Sequence, residues 1–186
     1  MMTDMKSASS KAARYRAVAT VLCSLLMLFL QAGCGYRLPG SAGNRLDAGQ
    51  SLWVSFIANE TVSPTAQTVL RRSLLEEAHL MRGLLPAGSR SDANLLVSGS
   101  LRSYTLKAIS YTAADQAREY RLTIEVELEL HRQGEVAPFW KGTLQAVQDY
   151  PANVNLGLQR NSEEAALTAA SHKIARKFLS GVEQSY

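Results

Sequence analysis

The clearest pattern in this sequence is a strict alternation of apolar and polar side chains from Tyr120 to His131. The apolar positions are Leu122, Ile124, Val126, Leu128 and Leu130. The positions between them are Arg121, Thr123, Glu125, Glu127 and Glu129. Because successive side chains of a strand point to opposite faces, the pattern predicts a strand with one face in a core and one polar face. Three acids on one face predict basic partners on the neighbouring strands, and Arg102 and Lys141 are the candidates.

Three other stretches, residues 51–58, 94–106 and 137–150, have the composition and spacing of strands. In the first stretch the alternation places Leu52, Val54 and Phe56 on one face and Trp53 and Ile57 on the other. Gly99 in the second stretch indicates a bulge or a close approach of two chains. Residues 107–119 have only a weak pattern and are expected to form a long connection.

Two segments carry apolar residues at the spacing of an amphipathic helix. The first helix is expected to begin at Ser63-Pro64, with the serine as cap and the proline at the first helical position, and to end at Gly83. Its apolar stripe is Val69, Leu70, Leu74, Ala78 and Met81. The second helix is expected to be capped by Asn161 or Ser162 and to end at Gly181. Its apolar stripe is Leu167, Ala170, Ile174 and Phe178, with His172 on the polar side.

The predicted elements follow one another in the order strand, helix, strand, strand, strand, helix. This order predicts an α+β domain with a mixed four-stranded sheet and both helices packed on one face of the sheet. Residues 51–186 are expected to form that domain as a single unit, since a chain of this length can bury an ordinary hydrophobic core.

The N-terminal residues have the layout of a bacterial lipoprotein signal peptide. Four basic residues precede an apolar run, residues 17–30, which is shorter than a membrane-spanning helix requires. Two small residues then precede Cys34. We therefore expect residues 1–33 to be removed, Cys34 to carry a diacylglycerol and an N-acyl chain, and residues 34–50 to form a flexible tether.

The alternative to lipidation is ordinary secretion, in which Cys34 would stay an unmodified thiol. Gly35, and not an aspartate, follows the cysteine. By resemblance to the sorting rule of enteric lipoproteins, this residue implies transfer to the outer membrane, where the protein would face the periplasm. The other cysteine, Cys23, lies in the predicted signal peptide, so the mature chain has no pair of cysteines for a disulfide.

The net charge of the whole chain is higher than that of the predicted mature protein. The full sequence has 20 Lys and Arg residues against 16 Asp and Glu residues, which gives a net charge of +4. The predicted signal peptide contains four of those bases and one acid, so 16 bases and 15 acids are left, a net charge of about +1. A nearly neutral mature chain argues against a nucleic-acid-binding protein, which normally has a strongly basic face.

The sequence has no motif for catalysis or for a resident metal ion. The three histidines, His79, His131 and His172, lie in three different predicted elements, and none has a metal-ligating residue at a useful spacing. Nucleophile-elbow and phosphate-binding glycine motifs are also missing. We therefore predict a protein that is not an enzyme and has no cofactor. A lipid-anchored hydrolase, with its catalytic residues assembled from distant positions, is the alternative.

Binding surfaces are the chemistry that the sequence does suggest. Basic side chains are concentrated around the second, third and fourth predicted strands, and the candidates are Arg102, Lys107, Arg118, Arg121 and Lys141. Such residues can contact a phosphorylated glycolipid. A polar strand face with a long loop can equally dock inside another protein, and single basic residues on a strand are also common as plain solvated polarity.

Several short motifs, in their order and spacing, resemble the lipopolysaccharide-assembly lipoprotein family, LptE. They are Cys34-Gly35-Tyr36-Arg37-Leu38, the stretch from Val54 to Thr61 with its Asn59-Glu60-Thr61 end, the helix at Pro64, Asp92-Ala93 leading to Gly99, Tyr120-Arg121-Leu122, and the alanine-rich last helix. The resemblance covers nearly all of residues 34–182.

The resemblance implies a partner and a function. Members of the family pair with the large outer-membrane β-barrel LptD, sit partly inside its lumen as plug and assembly factor, and act with it in moving lipopolysaccharide to the outer leaflet. The mature protein would then contact the barrel, lipopolysaccharide and, through Cys34, the lipid of the outer membrane. The alternative is a small outer-membrane lipoprotein that serves another machine, as a regulator of peptidoglycan synthesis or an accessory of secretion.

Overall fold

The structure, a computed structural model, describes residues 46–184. The predicted signal peptide and Cys34 lie outside the described residues, as does most of the predicted tether. At the end of that tether, Leu46 is buried in the hydrophobic core, and the backbone N–H of Gly49 donates to the carbonyl of Gly83. The chain is therefore packed against the domain from Leu46 onward.

The described residues form an α+β fold, as predicted, with a mixed sheet. The strands are β1 (Ser51–Val54), β2 (Ala58–Asn59), β3 (Leu85–Pro86), β4 (Leu95–Tyr111), β5 (Ala117–Arg132) and β6 (Trp140–Pro151). The helices are α1 (Ala66–Arg82) and α2 (Leu156–Gln184). The sheet order is β3-β1-β4-β5-β6, with β2 also paired to β4. The pairs that involve β1, β2 or β3 are parallel, and β4, β5 and β6 are antiparallel neighbours.

The sheet has six strands and not the predicted four, because two strands of two residues each were not recognisable from the sequence. One of them, β3, contains Pro86. Since β3 is the edge strand beside β1, a proline without an N–H is tolerated there.

The hydrophobic core lies between one face of the sheet and the two helices. The five predicted apolar positions of β5 are all buried there, which confirms the alternation in that strand. Leu70 and Leu74 of α1 and Ile174 and Phe178 of α2 belong to the same buried cluster. Both helices thus cover the same face of the sheet, and the opposite, polar face of β5 is left uncovered by them.

The first predicted strand is interrupted, and the predicted assignment of its side chains to the two faces is wrong after Val54. Ala58 is four positions after Val54, whereas their partners on β4, Val97 and Ser100, are three positions apart. The extra residue reverses the alternation, as in a β-bulge. Ile57 is consequently buried, and Phe56 is 75% exposed.

Helix α1 begins later than predicted, after Thr65, because the preceding residues form a side-chain-stabilised turn. The side-chain Oδ1 of Asn59 accepts hydrogen bonds from the N–H and the hydroxyl of Thr61. The side-chain Nδ2 of Asn59 donates to the main-chain carbonyl of Ser63 at 2.6 Å. The Asn-x-Thr motif is therefore a structural turn. The helix ends at Gly83, whose φ of +64° is the left-handed cap expected of glycine.

Residues 107–119 are not a loop but the far end of a long hairpin. Strand β4 continues to Tyr111, β5 begins at Ala117, and only residues 112–116 turn between them. The prediction failed because this part of the hairpin extends past the main core, so its two faces do not alternate between apolar and polar side chains. Main-chain pairing across β4 and β5, with shifts of register between 108 and 111, forms the structure instead.

Helix α2 is longer than predicted at both ends. It begins at Leu156, because the Asn155 side chain accepts hydrogen bonds from the N–H groups of Gly157 and Leu158, as an N-cap does. It also runs through Gly181. A Cβ on Gly181 would lie 3.3 Å from the Trp140 ring, so this glycine makes room for the ring and does not end the helix.

Neither helix of the described residues is both long and apolar enough to span a bilayer.

Candidate functional site

The polar face of the sheet carries a cluster of ion pairs centred on Glu127 of β5. Arg102 on β4 donates to Oε2 of Glu127 from Nη2 at 2.5 Å and from Nε at 3.1 Å, and it also pairs with Glu60. Lys141 on β6 places Nζ 2.9 Å from Oε1 of Glu127 and 2.7 Å from Oε1 of Glu129. The predicted pairing with Arg102 and Lys141 is confirmed for Glu127 and Glu129, whereas Glu125 has no ion pair among residues 46–184.

These contacts stabilise the charged forms of Glu127, Glu129 and Lys141. Hydrogen bonds from Arg102, and next from Lys141, keep the pKa of Glu127 below its ordinary value. Hydrogen bonds from Lys141, and next from His131, do the same for the pKa of Glu129. Glu129 and then Glu127 raise the pKa of Lys141. These charges are compensated within the chain, so a polyanionic ligand would have to compete with the carboxylates for Arg102 and Lys141.

We expect Lys141→Met to raise the pKa of Glu129 toward the ordinary glutamate value, because Lys141 is the main cause of its depression. A carboxylate with a lowered folded-state pKa stabilises the fold above its unfolded pKa and loses that contribution as the pH falls through the folded pKa. The contribution of Glu129 is therefore complete at neutral pH and is lost in acid. A carboxyl-carbon NMR titration measures the shift, with Lys173→Met as the control. An unchanged titration in Lys141→Met would contradict the assignment.

Arg121 is likewise compensated within the chain, by Asp149 on the neighbouring strand. The two residues are directly opposite in the β5–β6 register. Nε of Arg121 lies 2.7 Å from Oδ1 of Asp149, and Nη2 lies 2.7 Å from Oδ2, which is a bidentate pair. The pair raises the pKa of Arg121 and lowers that of Asp149.

Lys107 and Arg118 are the two predicted binding residues that the structure leaves without an ion pair among residues 46–184. Both are exposed and lie on the far part of the hairpin, which was expected to be a loop. Lys107 stands directly opposite Arg121 in the β4–β5 register, so it has a cation beside it and no carboxylate. The structure thus brings Arg102 and Lys141 together in one cluster and Lys107 and Arg121 in another.

A cleft of about 790 Å³ lies beside this hairpin, between β4, the turn that precedes α1 and the N-terminal half of α2. Its apolar lining is Val62, Pro64, Leu106 and Leu167, and its polar lining includes Tyr104, Arg160, Glu163 and Glu164. The Tyr104 hydroxyl donates to Oε1 of Glu163 at 2.6 Å. Burial, and next this hydrogen bond, raises the pKa of Tyr104. We call this feature the helix-end cleft.

Sequence reasoning missed the helix-end cleft because its walls come from three segments far apart in the chain. One wall, near Arg160, also precedes the cap that was predicted for the second helix at Asn161 or Ser162. The signal that could have located it is the Asn155 cap, which starts α2 early and carries Arg160 and Glu163 toward Tyr104.

The histidines take part in structural contacts, and one of them was placed wrongly. Nδ1 of His172 lies 3.0 Å from Oε1 of Glu77, a residue of α1 that is buried, and Arg176 contacts the same oxygen at 3.1 Å. His172 and Glu77 therefore join the two helices, although His172 was predicted on the polar side of the last helix. No group of three or more possible metal-ligating side chains is found in the described part of the chain.

Comparison with known proteins gives one family and a set of similar folds. The family model described as "LptE: Lipopolysaccharide-assembly" matches residues 49–181. No curated protein sequence matches the chain.

Similar folds occur in solved structures of low sequence identity. The hypothetical protein CT253 from Chlamydia trachomatis is 10% identical, with a TM-score of 0.53, over 74% of this chain and 98% of that one. PelC from Paraburkholderia phytofirmans, solved as a dodecamer, is 19% identical, with a TM-score of 0.51, over 76% of this chain and 94% of that one. Protein XCC0632 from Xanthomonas campestris is 14% identical, with a TM-score of 0.51, over 80% and 93% of the two chains. At these identities the likeness concerns the fold.

Proposed function

This chain belongs to the lipopolysaccharide-assembly family LptE, and from that membership we propose that it is a non-enzymatic outer-membrane lipoprotein that acts as plug and assembly factor for an LptD-type β-barrel. Its task in that complex is to support the transport of lipopolysaccharide into the outer leaflet. Cys34 anchors it in the membrane, and the domain faces the periplasm and the barrel lumen.

The observation that supports this proposal best is the internally compensated polar face of the sheet. The interior of a large outer-membrane barrel is polar, so a domain inserted there needs a polar surface without a large uncompensated charge. The Glu127 cluster and the Arg121–Asp149 pair supply that kind of surface across β4, β5 and β6. The nearly neutral charge of the mature chain, counted from the sequence, agrees with it.

The same contacts reduce the number of predicted binding residues that are free to contact a ligand. Arg102, Arg121 and Lys141 are each held by carboxylates of this chain. A lipid phosphate would have to displace those carboxylates. We therefore assign contact with the partner to Lys107 and Arg118, and we give the three paired residues the role of shaping the polar face.

The test is to purify the tagged full-length lipoprotein from detergent-solubilised outer membranes and to identify what stays bound. A stoichiometric large β-barrel of the LptD type is the expected result, together with a loss of surface lipopolysaccharide when the protein is depleted. A peptidoglycan synthase or a secretin in its place would refute the proposal and would favour a lipoprotein that serves another machine. A lipid-anchored hydrolase would instead show esterase or glycosidase activity that one acid or histidine substitution abolishes.

We expect Cys34→Ala to abolish membrane anchoring. Two or more acyl chains hold a protein in a bilayer almost permanently, at about 0.8 kcal/mol for each buried methylene. The variant should therefore appear as an uncleaved precursor or in the soluble periplasmic fraction, as measured by membrane fractionation and mass spectrometry. Cys23→Ala is the matched control and should leave the mature mass unchanged. Retention of the Cys34→Ala variant in salt-washed outer membranes would show that anchoring does not depend on this cysteine.

A further inference from the structure

One edge of the sheet is open where the hairpin extends beyond the short strands. Strand β1 pairs with β4 only from Leu95 to Val97, and β2 pairs with it only at Ser100 and Leu101. The last main-chain hydrogen bond on that side, among the described residues, is donated by the N–H of Glu60 to the carbonyl of Leu101. From Ser103 to Ala108, before the register shifts near the tip, β4 pairs with β5 alone among the described residues. We call Ser103–Ala108 the free edge.

The register shows which main-chain groups the free edge presents. On the opposite edge of the sheet, Lys177 and Lys173 donate to the carbonyls of Gln145 and Val147, so these carbonyls point away from β5. Their partners on β5, Glu125 and Thr123, must then direct their main-chain groups toward β4.

The same alternation continues into β4. Ser103 and Thr105, which face Glu125 and Thr123, bond to β5. The N–H and C=O groups of the residues between and after them, Tyr104 and Leu106, therefore point to the open side.

The β6 edge of the sheet is partly covered by other residues of the chain, and the free edge is not covered by the described residues. On the β6 edge two outward carbonyls, those of Gln145 and Val147, are covered by lysines of α2, and charged side chains are one way in which proteins protect an edge strand. The free edge has no such cover among residues 46–184, and its sequence, Ser-Tyr-Thr-Leu-Lys-Ala, has no proline. An uncovered edge rich in strand-forming residues is a template for one more strand.

The surroundings of the free edge define the chemistry of that strand. On the core side, Tyr104 and Leu106 line the helix-end cleft with Val62, which is 91% exposed. On the polar side, Lys107 faces Arg121 and has no ion pair with a carboxylate in the part of the chain that the structure describes. An added strand would therefore carry aliphatic side chains on the cleft side and an acidic side chain near Lys107, because opposite charges on adjacent strands attract.

A second copy of this chain fits the free edge less well. Antiparallel pairing of two free edges would bring both Lys107 side chains onto the same face of the joined sheet, without a carboxylate beside either of them. Like charges on neighbouring strands repel.

We propose that Ser103–Ala108 is a strand-addition site for an extended segment of the partner protein, with aliphatic side chains seated in the helix-end cleft and an acidic side chain at Lys107. The inference rests on the proposed function only for the identity of the donor, which is the barrel partner. The site itself follows from the open main-chain groups, the adjacent cleft and the uncompensated lysine.

The experiment uses the full-length lipoprotein in detergent and a synthetic peptide as long as the free edge, blocked at both ends and alternating Val with Glu. Binding should slow the amide hydrogen exchange of Tyr104 and Leu106, whose N–H groups are open, and should leave Thr105 unchanged because its N–H already bonds to β5. The same peptide with N-methyl groups on its main chain cannot form the ladder and should not bind.

Two variants test whether binding requires the positive charge of Lys107. Lys107→Glu should weaken binding of the Glu peptide about fivefold to tenfold and should restore binding of a peptide with Lys in place of Glu. Arg90→Glu makes the same change of charge at an exposed position beyond the other end of β4 and should have no effect.

Three results would overturn the proposal. They are equal binding of the N-methylated peptide, unchanged exchange at Tyr104 and Leu106, and a concentration-dependent dimer that occupies the edge. These outcomes are separate from the failure of the proposed function. If the barrel co-purifies and the free edge exchanges as fast in the complex as alone, the inference is wrong and the function stands. If the peptide binds as expected and no barrel co-purifies, the site stands and only its assigned donor is wrong.

Discussion

Gly99→Ala is expected to destabilise the protein by about 1–3 kcal/mol or more, although it adds one methyl group. Gly99 lies on β4 opposite Leu128 of β5. A Cβ at this position would be 2.1 Å from the carbonyl oxygen of Glu127 and 2.8 Å from a methyl group of Leu128. The first of these atoms is backbone of a strand that is paired on both sides, so it cannot move away without disturbing two ladders.

The measurement is denaturant unfolding of the purified protein, in which the midpoint of Gly99→Ala should fall while the slope stays similar. Gly88→Ala is the matched control, since a Cβ there meets nothing within 4 Å, and it should change stability by less than about 0.5 kcal/mol. Equal midpoints for the Gly99 variant and the wild-type protein would show that β4 and β5 are not as close at this position as the structure has them.

The sequence predicted best those elements whose stability depends on a regular contrast between core and solvent. Strand β5 is such an element, because every second side chain from Leu122 to Leu130 is buried, and Glu127 and Glu129 meet cations across the polar face. The same contrast predicted the partners Arg102 and Lys141, since acids on one strand face require cations on the neighbouring strands.

The sequence failed where main-chain pairing or a local side-chain bond decides the structure. The far end of the hairpin is held by the β4–β5 ladder and has no apolar periodicity to reveal it. The start of α2 is fixed by the Asn155 cap, which stands before the stretch of clear helical spacing. Parts of the candidate site depend on both errors, because Lys107 and Ala108 of the free edge lie in the far end of the hairpin, and Arg160 of the helix-end cleft precedes the predicted start of the second helix.

Contacts between distant helices were also beyond the reach of sequence patterns. Glu77 occurs among charged residues of α1, and His172 occurs among charged residues of α2. Each looks solvated when its own helix is considered alone. Only the packing of α1 against α2 brings Glu77 to within 3.0 Å of His172 and 3.1 Å of Arg176.

The second large effect is expected for Phe178→Ala, at about 3–5 kcal/mol. Phe178 is 2% exposed, and its ring meets the Trp140 ring edge to face, with centroids 5.0 Å apart. The indole of Trp140 also packs closely against Gly181 of α2, where a Cβ atom would lie 3.3 Å from the ring. Removing the phenyl ring leaves a cavity between α2 and β6. A loss of this size is a large share of the 5–15 kcal/mol that stabilises an ordinary domain.

Phe56→Ala is the matched control, because it removes the same ring from a side chain that is 75% exposed. It should change the free energy of unfolding by less than about 0.5 kcal/mol. The comparison also tests the bulge after Val54, since simple alternation would place Phe56 beside Leu52 in the core. Denaturant unfolding of both variants therefore separates the two arrangements. Similar, large losses for both would support the uninterrupted strand, whereas a large loss for Phe178→Ala alone supports the extra residue that turns Ile57 inward and Phe56 outward.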